Sequence, residues 1–349
     1  MFLPLILLFC IAFYKIKFSF SRQGFENYLY KDNTTSIKGI CICLVFISHF
    51  SNYVTYSFAL DNYAYRIVGL IGQAMVVPFL FYSGYGVMLS IINKGKSYVK
   101  KMPKHRLLNV LIKFEIIVII KLIVDFIINN SLSLEYVAVC MLSRNDWYIL
   151  AIMFLYTFTY LSYMIFGEKQ KYRLFLISTF LLSVCYIFAL KIIGFPRYYY
   201  DSILCYFLGI LWAVYKQKID KIALKNIVYY LCIFFICSII LFIKAKLDNI
   251  DVAVIIYYSL ICVLIILITK KVQIHNKILR TIGNYLFDIY LVHRIPMDIL
   301  YALGLAQANL YLYFALCVVF TGVLAYLSNI LINNLLKKVL KWNKITLLI

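Results

Sequence analysis

The sequence predicts an all-α fold, a polytopic transmembrane helical bundle of about 11 spans. Three observations predict it. Hydrophobic residues make up 64% of the 349-residue chain and charged residues only 14%, whereas a soluble domain runs nearer half apolar and about a quarter charged. Mean hydropathy is +0.90. The apolar residues also gather in blocks of about twenty, the length at which a helix crosses a hydrocarbon layer of ~30 Å.

The blocks fall at 2–20, 38–57, 67–92, 107–128, 147–166, 174–193, 200–215, 226–243, 251–269, 282–303 and 309–333. The first lacks a basic start and a small-residue cleavage site, and Lys15, Lys17 and Arg22 lie on its C-terminal side. It therefore reads as an uncleaved anchor with its N-terminus outside. Topology follows from the basic residues, which concentrate in cytoplasmic loops. The segments 15–38, 93–106, 167–173, 216–225, 270–280 and 337–344 carry 26 of the 35 Lys and Arg, the opposite side carries five, and four lie in spans. A missed or invented span would scramble this asymmetry. The C-terminus is thus expected in the cytoplasm of a multi-pass protein. Richness in Ile, Lys, Asn and Tyr points to a bacterial source, hence the plasma membrane.

No polar stretch exceeds about twenty residues, well under the ~50 of a small domain, so residues 1–349 form one transmembrane domain. The formal net charge of +21 would point a soluble protein to nucleic acid. Here the basic residues sit in short loops, so the partner is the lipid bilayer and its anionic headgroups, and no nucleic acid is expected. The ten Cys are scattered through apolar segments and read as small buried hydrophobes. No Cys or His set has metal-ligand spacing, so no metal is expected. The longest outer loop, about 129–146, is short. Any outer chemistry must run at the bilayer surface or inside the bundle.

Ionisable groups within spans are costly and mark pairs, pathways or sites. His49 follows Lys38 by eleven residues; at ~1.5 Å per residue it lies about 16 Å deeper than the cytoplasmic interface. An imidazole at that depth serves as a neutral general base or as a partner for a neighbouring helix. His293 lies equally deep, just before Arg294 and Pro296, whose ring breaks the helix and frees carbonyls. Spacing of i,i+4 pairs Arg294 with Asp298 and Lys121 with Asp125. Asp288 shares this C-terminal run. Ser83-Gly84-Tyr85-Gly86 reads as a close helix seam or a substrate cavity. Lys104-His105-Arg106 suits a phosphate-bearing ligand or plain cytoplasmic anchoring. Asp146 and Trp147 stand at an outer interface, facing either an acceptor sugar or the aromatic belt. Glu115 looks into the bundle.

In this order the features resemble the acyltransferase-3 family of bacterial membrane O-acyltransferases, a family with about ten transmembrane helices. Lys38 and His49 match the family's basic residue, ten intervening residues and an essential His. Phe79 to Tyr85 resembles its Phe-Phe-x-x-Ser-Gly-Tyr segment, and Lys104-His105-Arg106 its Arg-x-Arg motif, with Lys in place of the first Arg. Trp147-Tyr148-Ile149 echoes a Trp-Phe-Leu helix entry. Asp288-Ile289-Tyr290-Leu291-Val292-His293 looks like the motif Tyr-x-x-Tyr-Leu-x-His. The resemblance covers about 36–335 and makes 1–35 an extra N-terminal span and loop.

The resemblance implies transfer of an acyl group, acetyl by expectation, from cytoplasmic acyl-CoA to a hydroxyl of a cell-surface or capsular polysaccharide or its lipid-linked glycan precursor. Acetyl-CoA would be the donor. Lys104 and Arg106 would hold its phosphates, and Lys38 would orient it or tune the field at His49. His49 and His293 are the expected catalytic residues, His49 as general base or covalent relay. Ser83, Tyr85, Asp146, Trp147 and Asp288 are expected at the substrate. Competing readings are a transporter or flippase for lipid-linked glycans, a glycan polymerase and a membrane sensor. Alkaline phosphatase fused after residue 140 should be active in cells, and fused after residue 95 inactive. The reverse activities would invert the topology.

Overall fold

The computed structural model of the protein describes residues 2–21, 24–54, 59–143, 146–167, 172–223 and 226–339. The chain opens with α1 (Phe2–Phe13), strand β1 (Ile16–Phe18) and α2 (Lys31–Phe50). Then come α3 (Ala59–Ile71), α4 (Val77–Lys94), the short α5 (Lys96–Val99) and a π-helical turn over Pro103–Leu108 that runs into α6 (Asn109–Asn129). Next are α7 (Leu134–Met141), α8 (Trp147–Phe166), α9 (Tyr172–Ile193), α10 (Leu204–Ala223), α11 (Asn226–Lys246) and α12 (Asp251–Lys271). The chain continues through strand β2 (Val272–Ile274), α13 (Lys277–Asn284), α14 (Leu286–Val292), α15 (Arg294–Ala302), α16 (Leu305–Ala308) and α17 (Leu310–Val339).

Among the described residues, seven helical stretches are long and apolar enough to cross a membrane: Lys31–Tyr53, Gln73–Lys94, Trp147–Phe166, Tyr172–Ile193, Ile227–Lys246, Asp251–Lys271 and Leu310–Leu336. The other expected spans differ for physical reasons. The block 2–20 is helical only to Phe13, because Lys15 takes a left-handed backbone with φ of 64°. Twelve residues reach only about 18 Å. The following residues enter β1, antiparallel to β2, with Ile16 opposite Ile274. The block 67–92 divides into α3 and α4. Helix α6 is 21 residues long but carries Lys113, Glu115, Lys121 and Asp125.

The start of α2 looks polar in sequence yet is buried. Asn33 donates to the Tyr28 carbonyl at 2.8 Å, Thr34 to Tyr30 at 3.2 Å and Ser36 to Asp32 at 3.1 Å. These bonds satisfy the groups locally, so their burial carries little penalty. Asn33, 3% exposed, is closed to glycosylation in this fold.

Two helix pairs pack backbone against backbone, each through glycine on both sides. A Cβ on Gly39 of α2 would overlap the Leu279 carbonyl of α13, and one on Gly283 of α13 would overlap that of Thr35. Likewise a Cβ on Gly84 of α4 would overlap the Tyr206 carbonyl of α10, and one on Gly209 that of Phe81. Small residues permit such contact within a membrane.

The sequence block 282–303 is interrupted twice, at Tyr285 and His293. Pro296 cannot donate to the Val292 carbonyl. Beside this break the His293 side chain binds one turn back, its Nδ1–H donating to the Tyr290 carbonyl at 2.8 Å and lying 3.2 Å from that of Ile289. Replacing Gly84 or Gly209 by Leu should destabilise the purified protein by about 1–3 kcal/mol, the range for overpacking, seen as a lower Tm in nanodiscs. Gly322→Ala, with open space around it, should leave Tm nearly unchanged.

Candidate active site

Two cavities lie along α2. The outer one, about 540 Å³, is lined by Ser48, His49 and Asn52 at the end of α2, Gln73 and Val76 beside α4, Lys121 of α6, Tyr136 of α7, Trp147 of α8, Tyr198, Tyr199, Tyr290 and Arg294. Its decisive contact joins the end of α2 to the start of α15: Arg294 Nη2 donates to His49 Nδ1 at 2.9 Å. A guanidinium can only donate. Nδ1 of His49 therefore carries the lone pair, and the proton of the neutral ring sits on Nε2.

His293 stands behind His49, with ring centroids 5.0 Å apart, and also touches Phe46 and Tyr290. A carbonyl can only accept, so the bond to Tyr290 puts the His293 proton on Nδ1. Its Nε2 is then left as a buried lone pair without a partner. His293 does not line the cavity; it holds the kinked backbone and backs His49.

The inner cavity, about 290 Å³, opens among Lys31, Lys38, His105 and Arg106, with Ser83, Tyr85 and Gly86 of α4, Lys113 of α6 and Tyr148 and Tyr156 of α8. Ser83 and Tyr156 share a hydrogen bond at 2.6 Å. Arg106 Nε donates to the Tyr98 hydroxyl at 3.2 Å and its guanidinium lies over the Tyr156 ring. Lys38 lies over the Tyr82 ring, 5.8 Å from its centroid. The seam and cavity readings of 83–86 both hold, residue by residue: Gly84 packs on α10 while Ser83, Tyr85 and Gly86 face the cavity. Lys104, exposed, is not among the lining residues; the next residue, His105, takes that place. Burial and the charges of Lys104, Lys101 and Arg106 push the His105 pKa below its usual value, so it is neutral at pH 7.

An aromatic partition separates the cavities. Phe79 and Tyr148 line the inner one and Tyr290 the outer. Tyr148 meets Phe79 edge-on at 6.3 Å and Tyr290 at 5.3 Å. His49 belongs to the outer side only.

Several acidic residues stand away from both cavities. Asp288 is 3% exposed and is held by Lys113 at 3.4 Å, Ser328 at 3.3 Å and Asn329 at 2.7 Å. It ties α6, α14 and α17 together and lines neither cavity. Asp146 sits half-buried at the start of α8; desolvation raises its pKa, and the charges of Lys121 and Arg294 work against that rise. Its neighbour Trp147 lines the outer cavity, while residues 144 and 145 lie outside the described residues. The expected i,i+4 pairs do not form. Asp298 accepts from the Tyr53 hydroxyl at 2.6 Å and Asp125 from that of Tyr136 at 2.8 Å. Arg294 turns instead to His49, and Lys121 to the cavity. Glu115 lines neither cavity, and its Oε2 has no partner. Among the described residues no three His, Cys, Asp or Glu gather as a metal set.

The family model described as an acyltransferase domain, that of acyltransferase-3, matches residues 35–329. The chain belongs to the acyltransferase-3 family. The match takes in most of α2 through most of α17, and so the outer cavity, the inner cavity apart from Leu29, Lys31 and Thr34, and every candidate residue. This acyltransferase matches no curated protein and no solved structure. Membership makes it a membrane acyltransferase in general terms.

Sequence reasoning missed the partner that Arg294 chooses, the place of Lys121 in the cavity wall, and Tyr136, Tyr198 and Tyr199. The available signal was two cations in apolar runs, and it was masked by carboxylates at i,i+4 spacing that Tyr53 and Tyr136 take instead. Lys113→Met in the acyltransferase should strand the buried Asp288 charge and cost about 3–5 kcal/mol. The double variant Lys113→Met/Asp288→Asn should recover most of it, as read by Tm in nanodiscs.

Proposed function

We propose that the protein transfers an acyl group, acetyl in the simplest case, from acyl-CoA in the cytoplasm to a hydroxyl of a surface polysaccharide or its lipid-linked precursor. The observation that carries this reading is the placement of Lys38 in the wall of one cavity and His49 in the wall of the other, on one helix. A donor and an acceptor then approach a single imidazole from opposite membrane faces. The concentration of Lys and Arg in the loops on this side supports a cytoplasmic opening for the inner cavity, where acyl-CoA would be available.

At the inner cavity Lys31, Lys38 and Arg106 supply cations for the phosphates of CoA. His105 adds a neutral imidazole. The apolar wall of Phe79, Leu89, Val110 and Ile152 suits the pantetheine arm. The thioester would reach His49 by turning Tyr148 out of the partition. In the outer cavity Trp147 and the tyrosines offer rings on which sugar faces stack.

The chemistry then follows from the proton positions. The acceptor hydroxyl replaces Arg294 at Nδ1 of His49 and gives up its proton there. Its oxygen attacks the thioester carbonyl, the C–S bond breaks, and CoA leaves as a thiolate that recovers the proton from the imidazolium. The displaced guanidinium stays beside the developing oxyanion, where a fixed cation lowers the barrier. An acyl-imidazole relay would use the same lone pair, so both routes require Arg294 to release His49.

His49→Ala cells should produce surface polysaccharide in normal amount but without acyl signals in its NMR spectrum, at unchanged protein level. Undiminished acyl signals would defeat the proposal, and loss of the polymer itself would favour a transporter.

A further inference from the structure

The outer cavity carries a charge pattern that transfer to a neutral sugar does not require. Lys121 and Arg294 both line it, and no carboxylate is among its described lining residues. Arg294 spends one donor on the neutral ring of His49, and a guanidinium has five. The Lys121 ammonium has neither hydrogen bond nor ion pair among the described residues. Its i,i+4 neighbour Asp125 is taken by Tyr136. Of the nearby carboxyls, Asp298 accepts from Tyr53 and half-buried Asp146 lies off the cavity wall; both feel the charges of Lys121 and Arg294, but neither pairs with them.

Two cations line one membrane-embedded space while the carboxylates that feel their charge, Asp146 and Asp298, lie off its wall, so a ligand that brings counter-charge into the cavity relieves a remaining cost. We propose that the acceptor of this enzyme is anionic, and that Lys121 and Arg294 together bind its carboxylate or phosphate. The inference takes from the acyl-transfer reading only what happens to the ligand; its binding stands on the cavity alone. It also gives Arg294 a reason to leave His49. An anionic oxygen is a stronger acceptor for a guanidinium than a neutral imidazole, so an arriving acceptor draws the cation away and exposes the lone pair that must take the hydroxyl proton. Chemistry would then wait for the correct ligand.

The anionic group has two sources, a uronate sugar within the glycan or the diphosphate of a lipid carrier. Binding to the purified protein in nanodiscs, measured by calorimetry, separates them. The probes are trigalacturonate against its methyl ester, and inorganic pyrophosphate against buffer alone. One or both anionic probes should bind, and the ester about tenfold more weakly or not at all. Lys121→Met should weaken the anionic probe by about tenfold, the loss of one charge-assisted hydrogen bond, and Lys121→Arg should retain it. Trigalacturonate binding identifies a sugar carboxylate; pyrophosphate binding identifies a carrier phosphate. Equal binding of the acid and its ester with no pyrophosphate binding would overturn the proposal. So would anion binding that Lys121→Met leaves intact and Arg106→Met abolishes, which would assign the anion to the inner cavity. Anion binding by a protein that transfers no acyl group would sink the acyl-transfer reading alone.

Discussion

The interrupted helix over 277–302 is the constraint on which the rest of the site depends. In a bilayer every backbone carbonyl needs a donor, and Pro296 removes one. The break leaves the Val292 carbonyl without that donor, and the His293 ring binds one turn back, donating to the Tyr290 carbonyl. The chain turns between α14 and α15, where Arg294 meets the end of α2. His49 would otherwise be a lone imidazole in an apolar wall. The break gives it a defined tautomer and a cation within hydrogen-bond distance. A residue that sequence alone makes catalytic thus does its first work on the backbone, and its neighbour meets the reacting ring.

Much of this was legible in the sequence. Hydrophobic blocks gave most of the long apolar helices, since these follow from transfer energies that act residue by residue. Lys38 and His49 were legible because eleven residues of helix fix their separation. Ser83, Tyr85, Arg106 and Trp147 were legible as motif members. What was not legible depends on tertiary choice. Arg294 has Asp298 at ideal helical spacing, yet Tyr53 takes that carboxylate and leaves the guanidinium to His49. Asp288 looks like a substrate contact in its motif, but Lys113, from 175 residues earlier in the chain, claims it. The short first helix was hidden by its apolar start: 2–13 reads as the beginning of a span, and only pairing with β2 makes part of the following segment a strand.

The two cavities differ in chemistry. The inner one combines basic side chains with a largely apolar wall, suited to a ligand that is charged at one end and thin at the other. The outer one is larger and more polar, with aromatic rings set among hydrogen-bonding groups. Between them stands a layer of rings rather than backbone. Side chains of this kind turn without breaking any helix.

The four glycines at the backbone contacts impose a division of labour. With α2 locked to α13 and α4 locked to α10 carbonyl against Cα, neither pair can slide without a collision or a gap. The distance between the two chambers is therefore set by the scaffold. Any passage of material between them must be made by rotating side chains within a fixed frame. Such a machine would work as a turnstile and not as a rocking gate, and its leakiness would be governed by the bulk of a few rings.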